Sequence, residues 1–255
     1  MKYNKIQGLI LSLKQLKESD KLVVVFSREK GKIKLLARGA NKVLSRKSYS
    51  LDILNLVEFL TYPTKTEWNL IIEVKLIDEF STIKKDFASI KICYYFLELL
   101  NNFLVQETES EEIYIEFLSF LQQLSKLTSK KDKLLLAIYF QLKILNSFGF
   151  KPQLFYCVDC QSKLLKNTPR ILSSEDMLGY LCEKHFDIIN FSDNLISDDL
   201  LKIQRYLTDK QVFEITNLKI DILIIKKILE IQNKWLEIVS QRTVNSYNLL
   251  ARNYG

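Results

Sequence analysis

The residues best suited to chemistry are three of the four cysteines and the only histidine, which lie within 29 consecutive positions. Cys157 and Cys160 form a Cys-x-x-Cys pair, and after 21 further residues Cys182 and His185 form a Cys-x-x-His pair. Two close ligand pairs joined by a loop are typical of tetrahedral zinc sites. Protein atoms would fill all four positions, which predicts one structural Zn²⁺ rather than a catalytic ion that keeps a position for water.

Two other interpretations of the cysteines remain open: a metal-free remnant of such a site, or a disulfide between Cys157 and Cys160. The N-terminal apolar run at 8–11 is too short for a signal peptide, and Lys14 closes it. No apolar stretch approaches the ~18 residues of a membrane span. We therefore expect a soluble, cytoplasmic protein without a membrane partner, and in a reducing compartment clustered cysteines bind metal more often than they form bridges.

Patterns that would indicate catalysis are missing from the sequence. The single histidine belongs to the cysteine cluster, and Gly31 and Gly39 lie outside any phosphate-binding glycine motif. The acidic pairs at 111–112 and 198–199 fall at predicted helix starts, where capping explains them. The sequence predicts that the protein is not an enzyme.

Positive charge is concentrated in the first third of the chain. The net charge is +7, and residues 1–80 hold 15 Lys and Arg against 9 Asp and Glu, a net +6. The densest stretch contains one acidic residue, Glu29, and eight basic residues that we call the basic band. These are Arg28, Lys30, Lys32, Lys34, Arg38, Lys42, Arg46 and Lys47. Such a concentration favours a polyanionic partner.

The elements that would position the basic band are short strands. Alternating and β-branched runs predict five strands, at 6–13, 22–26, 32–38, 51–62 and 68–77. Because no crossover helix fits between them, we expect a five-stranded antiparallel barrel of the OB-fold type.

Within the third predicted strand, alternation places Lys32 and Lys34 on the barrel exterior while Ile33 and Leu35 face the core. An exterior band of cations suits phosphate groups, because each neutralised phosphate releases counterions. The alternative is an ordinary solvated face in a lysine-rich chain. Tyr49, Tyr62 and Trp68 are candidates for base stacking beside the band, although packing within the barrel explains each of them as well.

From residue 82 the apolar period changes to that of helices, which we predict at 82–105, 111–124, 131–148, 198–207 and 221–241. Aromatic residues at helical spacing are interpreted as core, and Cys93 as a small buried apolar residue. The aromatic set comprises Phe87, Tyr94, Tyr95, Phe96, Phe117, Phe120, Tyr139 and Phe140. The predicted class is α+β, with an OB-fold domain at 1–80 and a helical domain at 81–255 that carries the zinc module at about 154–187.

Several segments in this order are similar to the RecO family of bacterial recombination mediators. They are GLILS at 8–12, ESDKL at 18–22, FSREKG at 26–31, LARGA at 36–40, SR at 45–46, LELL at 97–100 and FGF at 148–150. The resemblance covers nearly the whole chain and is weakest after residue 190. One departure is His185, since zinc-bearing members often present four cysteines.

The resemblance implies a DNA-repair and homologous-recombination protein without enzymatic activity, associated with the bacterial nucleoid. Such proteins bind single- and double-stranded DNA, anneal complementary strands and act in the RecF pathway. With RecR they help to load RecA onto DNA coated by the single-stranded-DNA-binding protein, whose acidic C-terminal tail docks on the helical domain. Two alternatives from other classes are a zinc-stabilised adaptor that binds proteins and a zinc enzyme acting on nucleic acid.

Overall fold

The computed structural model describes residues 3–16, 18–40, 49–65, 67–108, 110–173, 177–186, 195–215 and 218–251. The chain forms two compact units, residues 1–121 and 122–255. Within the described part, no helix combines the length and the apolar content that crossing a membrane requires.

The first unit is built around a closed barrel of five strands. They are β1 (Asn4–Gln15), β2 (Lys21–Ser27), β3 (Gly31–Ala37), β4 (Leu56–Tyr62) and β5 (Asn69–Asp78). The order around the barrel is β1-β2-β3-β5-β4, and β4 pairs with β1 to close it. All pairings are antiparallel except that of β3 with β5, which is parallel. The predicted five-stranded barrel and its α+β class are confirmed.

Strand β3 follows the alternation expected of a half-buried strand. Ile33 and Leu35 are buried in the barrel core, whereas Lys32 and Lys34 are only partly buried. The core itself is aliphatic with one aromatic ring, and its members come from every strand. It includes Ile6, Ile10, Val23, Val25, Ile33, Leu35, Val57, Phe59 and Ile71.

Three helices follow the barrel in sequence: α1 (Ser81–Lys85), α2 (Phe87–Phe103) and α3 (Glu111–Leu124). Helix α2 packs against β1, and the ring of Tyr114 in α3 meets Phe26 of β2 edge-on at a centroid distance of 5.2 Å. Both faces of β1 and β2 are therefore covered over part of their length. This explains the continuous apolar runs at 8–11 and 22–26, which show no alternation.

The prediction of one helix over 82–105 is wrong. Asp86 adopts an extended conformation and its side chain accepts a hydrogen bond of 2.6 Å from the backbone of Ser89, so it ends α1 and caps α2. The new helical phase turns Phe87 and Tyr94 outward, 68% and 42% exposed, and the prediction that they belong to the core is also wrong. Cys93 is fully buried as predicted.

The predicted strand at 51–62 begins later than expected, at Leu56. Leu54 has a φ of 72°, in the left-handed region that ends regular strand geometry. Its backbone N–H donates to Ile10 O at 2.9 Å, and Asn55 O accepts from Ile10 N–H at 3.0 Å. These residues form a tight turn that enters the barrel beside the bulge in β1.

The second unit contains α4 (Lys130–Ser147), α5 (Asp198–Thr208), α6 (Ile222–Ser240) and α7 (Tyr247–Ala251). Helix α4 is buried around most of its circumference and packs against α5 and α6. Gly149 follows α4 with a φ of 84° and terminates it, as predicted. Between α4 and α5 the chain makes a small module containing the hairpin β6 (Arg170–Leu172) and β7 (Tyr180–Cys182).

Candidate metal centre and nucleic-acid interface

The first ligand pair lies on a tight turn that its own backbone holds in place. Cys157 N–H donates to Ser162 O at 2.8 Å, and Gln161 N–H donates back to Cys157 O at 3.1 Å. Val158 N–H donates to Tyr180 O at 3.1 Å, which ties the turn to β7. Two residues between the cysteines let both sulfurs leave the same side of this turn.

The second ligand pair begins where the hairpin ends. Cys182 is the last residue of β7, and a single 3₁₀ turn, Glu183–His185, carries the histidine back toward the first pair. The backbone N–H of Cys182 donates to the sulfur of Cys157 at 3.4 Å. Backbone hydrogen bonds therefore bring the two pairs together.

The four ligand atoms of Cys157, Cys160, Cys182 and His185 all lie within 4.8 Å of one another. The sulfurs of Cys160 and Cys182 are 3.7 Å apart, and the sulfur of Cys157 is 3.8 Å from His185 Nδ1. Around tetrahedral zinc, Zn–S and Zn–N bonds of roughly 2.3 and 2.0 Å put neighbouring ligand atoms about 3.5–3.8 Å apart. The donor set and its spacing fit a metal ion of this kind.

Electrostatics around the cluster favour a thiolate at its exposed edge. Hydrogen bonds from the Ser162 hydroxyl and then its backbone lower the pKa of Cys160 to about 6, with 3.0 Å between Sγ and Oγ. Burial raises the pKa of Cys182. Because thiolates are the metal-binding form, Ser162 makes Cys160 the better prepared of these two ligands.

Asp159 belongs to the cluster although the sequence analysis did not single it out. Its carboxylate Oδ2 lies 2.6 Å from His185 Nδ1. The carboxylate partner of a ligand histidine binds the ring nitrogen that does not hold the metal, so this contact fits Nε2 as the ligand atom, whereas ligation through Nδ1 requires Asp159 to move away. Its position inside the Cys-x-x-Cys pair was the available signal.

Gly179 is a second residue that sequence reasoning missed. Its φ is 151°, and a Cβ at this position would lie 2.6 Å from Gln153 O and 2.7 Å from a methyl carbon of Val158. Only glycine allows β7 to start so close to the turn that carries Cys157.

The basic band divides into paired and open cations. Arg28 Nε donates to Glu111 Oε1 at 2.9 Å, and Lys32 Nζ donates to Asn101 O at 2.7 Å. The side chains of Lys30, Lys34 and Arg38 have no hydrogen-bond or ion-pair partner among the described residues. Lys42, Arg46 and Lys47 lie outside the described residues.

The open cations are spread along one strand. Lys30 precedes β3 and Arg38 follows it, so at ~3.3 Å per residue the band extends roughly 25 Å across the barrel. Lys34 lies between them on the outward face. This length matches several successive phosphates of a nucleic-acid strand rather than one small anion.

The three aromatic residues considered for stacking differ in exposure. Tyr49 is 71% exposed, and its hydroxyl donates to Glu79 at 2.6 Å. Tyr62 packs against Tyr3 with ring centroids 5.8 Å apart, and Trp68 is half-buried. Of the three, Tyr49 offers the most open ring face.

A closed OB-type barrel with an outward cationic strand, followed by helices that carry a Cys₃His cluster, defines a class of two-part proteins built on an oligonucleotide-binding fold. The sequence matches two family models, Recombination protein O N terminal over residues 1–80 and Recombination protein O C terminal over residues 84–248. The chain belongs to the Recombination protein O (RecO) family, a family of DNA repair and recombination proteins.

Bacterial relatives agree with this assignment. The DNA repair protein RecO of Caldicellulosiruptor bescii is 31% identical over 184 residues, which cover 72% of each chain. The RecO protein of Symbiobacterium thermophilum is 25% identical over 185 residues, again 72% of each chain. That of Clostridium novyi is 32% identical over 162 residues, covering 64% of this chain and 62% of the relative.

Proposed function

We propose that the protein is a non-enzymatic recombination mediator that binds single- and double-stranded DNA and anneals complementary strands. The observation that carries this proposal is the row of open cations at β3 in an OB-type barrel, with Lys34 on the outward face of the strand and Lys30 and Arg38 just beyond its two ends. Barrels of this type bind single strands in a groove across their strands. Membership of the RecO family supports the same conclusion.

Annealing follows from electrostatics without any bond being made or broken. Two strands repel each other through their phosphates, and a cationic surface that holds both lowers this repulsion. Phosphate contacts carry no sequence information, so the bases remain free to pair. The exposed ring of Tyr49 is available to stack an unpaired base.

Metal enters this proposal as a structural element. One Zn²⁺ held by Cys157, Cys160, Cys182 and His185 would join the turn after α4 to the end of the β6–β7 hairpin. With four protein ligands the ion leaves no position for a water nucleophile. The ion would therefore stabilise the module and take no part in DNA chemistry.

The proposed partners extend beyond DNA. By analogy with the family, the protein acts with RecR to load RecA onto DNA coated by the single-stranded-DNA-binding protein, and the acidic C-terminal tail of that protein docks on the helical part. Two alternatives remain as outcomes of the tests, an adaptor that binds only proteins and a zinc enzyme acting on nucleic acid.

Charge reversal on β3 tests the DNA surface directly. We expect Lys34→Glu or Arg38→Glu to weaken binding of a fluorescent single strand about fivefold or more without unfolding the chain, since each change removes one phosphate contact and adds repulsion. Lys126→Glu, an exposed lysine in the second unit, is the charge-matched control. Fluorescence anisotropy gives the affinities, and unchanged binding in both β3 variants would favour the adaptor.

A strand-annealing assay separates the three functions. We expect the protein to accelerate pairing of complementary oligonucleotides both bare and coated with the single-stranded-DNA-binding protein, with no cleavage or modification of either strand. Acceleration should fall in parallel with DNA affinity in the β3 variants. Strand cleavage that depends on the metal would instead identify the zinc enzyme.

A further inference from the structure

A polar recess of about 290 Å³ lies in the second unit, between the segment before β6 and the first turns of α5. Four basic side chains and two carboxylates line it. They are Lys166, Arg170, Lys202, Arg205, Asp198 and Asp199. Since liquid water occupies roughly 30 Å³ per molecule, the recess has room for a small anion with part of its hydration shell.

Arg170 is the unusual member, because only 2% of its side chain is exposed. One guanidinium nitrogen pairs with Asp198, and another donates to Leu165 O at 3.3 Å. Its Nε is buried and has no hydrogen-bond partner among the described residues. Buried donors in folded proteins are nearly always satisfied, so the charge of Arg170 is compensated only by Asp198 and the Leu165 carbonyl among the described residues.

Arg205 adds a second positive charge, and no carboxylate among the described residues pairs with it. Its guanidinium donates to the carbonyl oxygens of Leu154 at 2.8 Å and Leu164 at 3.2 Å and lies 4.9 Å from the Phe155 ring centroid. Arg170 and Arg205 line the same recess, and burial and then the charge of Arg205 lower the pKa of Arg170. An anion in the recess would relieve the repulsion between these two cations.

The carboxylates only partly offset these cations. Both oxygens of Asp198 are already engaged, one by Arg170 and the other by the backbone N–H of Asn167 at 2.8 Å. Asp199 is exposed at the start of α5, and Lys166 and Lys202 are exposed as well. The charges around the recess sum to about +2, and the N-terminal end of α5 adds a favourable dipole.

We propose that this recess binds a phosphate group. Two guanidinium groups and two lysine ammonium groups line one polar recess, and their excess over the two carboxylates suits the negative charge of a phosphate group. The site goes beyond the proposed function, which assigns DNA to the barrel. The phosphate belongs either to the backbone of a nucleic-acid strand or to free phosphate.

Calorimetric titration of the full chain with inorganic phosphate, at constant ionic strength and with chloride as the reference, tests the site. We expect Lys202→Gln to weaken phosphate binding about threefold and Asp199→Asn to strengthen it by a similar factor, because these exposed charges act in opposite senses. Lys151→Gln, an exposed lysine outside the recess, should leave the affinity unchanged. Thermal melting of each variant confirms folding.

The absence of phosphate binding by the unaltered protein would overturn the proposal, as would equal losses in Lys202→Gln and Lys151→Gln. Acetate binding as tightly as phosphate would overturn it in favour of a carboxylate site for an acidic peptide. Weaker binding of a short single strand by Lys202→Gln but not by Lys151→Gln would assign the site to backbone phosphates, and equal binding by both variants would assign it to free phosphate. Lys34→Glu should weaken DNA binding and leave the phosphate affinity of the recess unchanged. The DNA proposal and the phosphate proposal can therefore fail independently.

Discussion

Three lysines near one strand have different environments in the first unit. Lys32 and Lys34 occupy the same face of β3, yet Lys32 donates to the carbonyl of Asn101 near the end of α2. Lys34 faces outward without such a partner, and Lys30 is exposed at the preceding turn. Lys32 therefore attaches a helix to the barrel, whereas the other two remain available to an external anion.

This difference predicts different effects on stability. Replacing Lys32 with Met should lower the free energy of unfolding by about 1–2 kcal/mol, because a hydrogen bond from a charged group is lost at a half-buried contact. Lys30→Met is the matched control and should change stability by less than about 0.5 kcal/mol. Urea denaturation followed by circular dichroism measures both. Equal effects of the two substitutions would mean that the Lys32–Asn101 hydrogen bond does not contribute to the free energy of unfolding.

At the residue scale, charge alternation in β3 and the ligand spacing of the cysteines were readable from the sequence. Two environments were not readable, because they depend on distant segments. Lys32 finds its acceptor 69 positions away, and Arg170 is buried against Asp198, 28 positions away. A local pattern contains no information about such partners, and it assigned Lys32 to the DNA surface as readily as Lys34.

At the scale of elements, the Cys/His module has little apolar core of its own. Its hairpin has three residues in each strand, and several large apolar side chains remain exposed, among them Phe155 and Tyr156. Small elements of this kind usually need a metal or disulfide to stay folded. The turn at Cys157 and the end of β7 should therefore depend on the ion.

We expect about one zinc per chain by elemental analysis, and none in the Cys157→Ser, Cys160→Ser double variant. Removing the metal should lower the melting midpoint by about 5 °C or more, because metal binding stabilises only the folded state. Cys93→Ser tests a cysteine outside the cluster and should retain the metal. Full stability without metal would show that the cluster is a remnant.

Acid should release the ion, because protons compete with the metal for the ligand thiolates and imidazole. Without the ion the pKa of Cys160 is lowered to about 6, so above that pH the ligand is already a thiolate, and bound zinc keeps it deprotonated to lower pH. Zinc release measured with a chromogenic chelator should therefore rise as the pH falls below about 6. Ser162→Ala removes the hydroxyl hydrogen bond and should move release to higher pH.

The apolar periodicity of the sequence did not predict the boundary between α1 and α2. Apolar residues recur every three or four positions across 82–105, and that pattern continues through Asp86 without a visible break. The capping hydrogen bond to Ser89 restarts the helix in a different rotational phase. Such a restart changes which side chains face inward, and for this reason Phe87 and Tyr94 were assigned to the wrong face.

At the scale of the whole molecule, the net charge of +7 is concentrated where the barrel lies. We expect the logarithm of DNA affinity to fall linearly with the logarithm of salt concentration, with a slope of about −0.7 for each phosphate contacted on a single strand. Lys34→Gln should reduce the slope by about 0.7, whereas Lys126→Gln should not change it. Affinities measured at salt concentrations between about 50 and 200 mM give this slope. A flat dependence would exclude the basic band as the DNA surface.

The strand pairings that close the barrel differ in length, and the shortest of them should form last during folding. Each antiparallel pairing extends over many residues. In contrast, β3 and β5 meet through only two residue pairs, Leu35 with Asn69 and Leu36 with Leu70. The loop that this parallel seam closes spans more than thirty residues, so its closure carries a larger entropic cost than the hairpins. We therefore expect the β1–β2–β3 meander and the β4–β5 hairpin to form first and the seam to close last. We also expect the native cylinder to open most easily at this seam, beside the end of β3 that precedes Arg38, because it has the fewest paired residues.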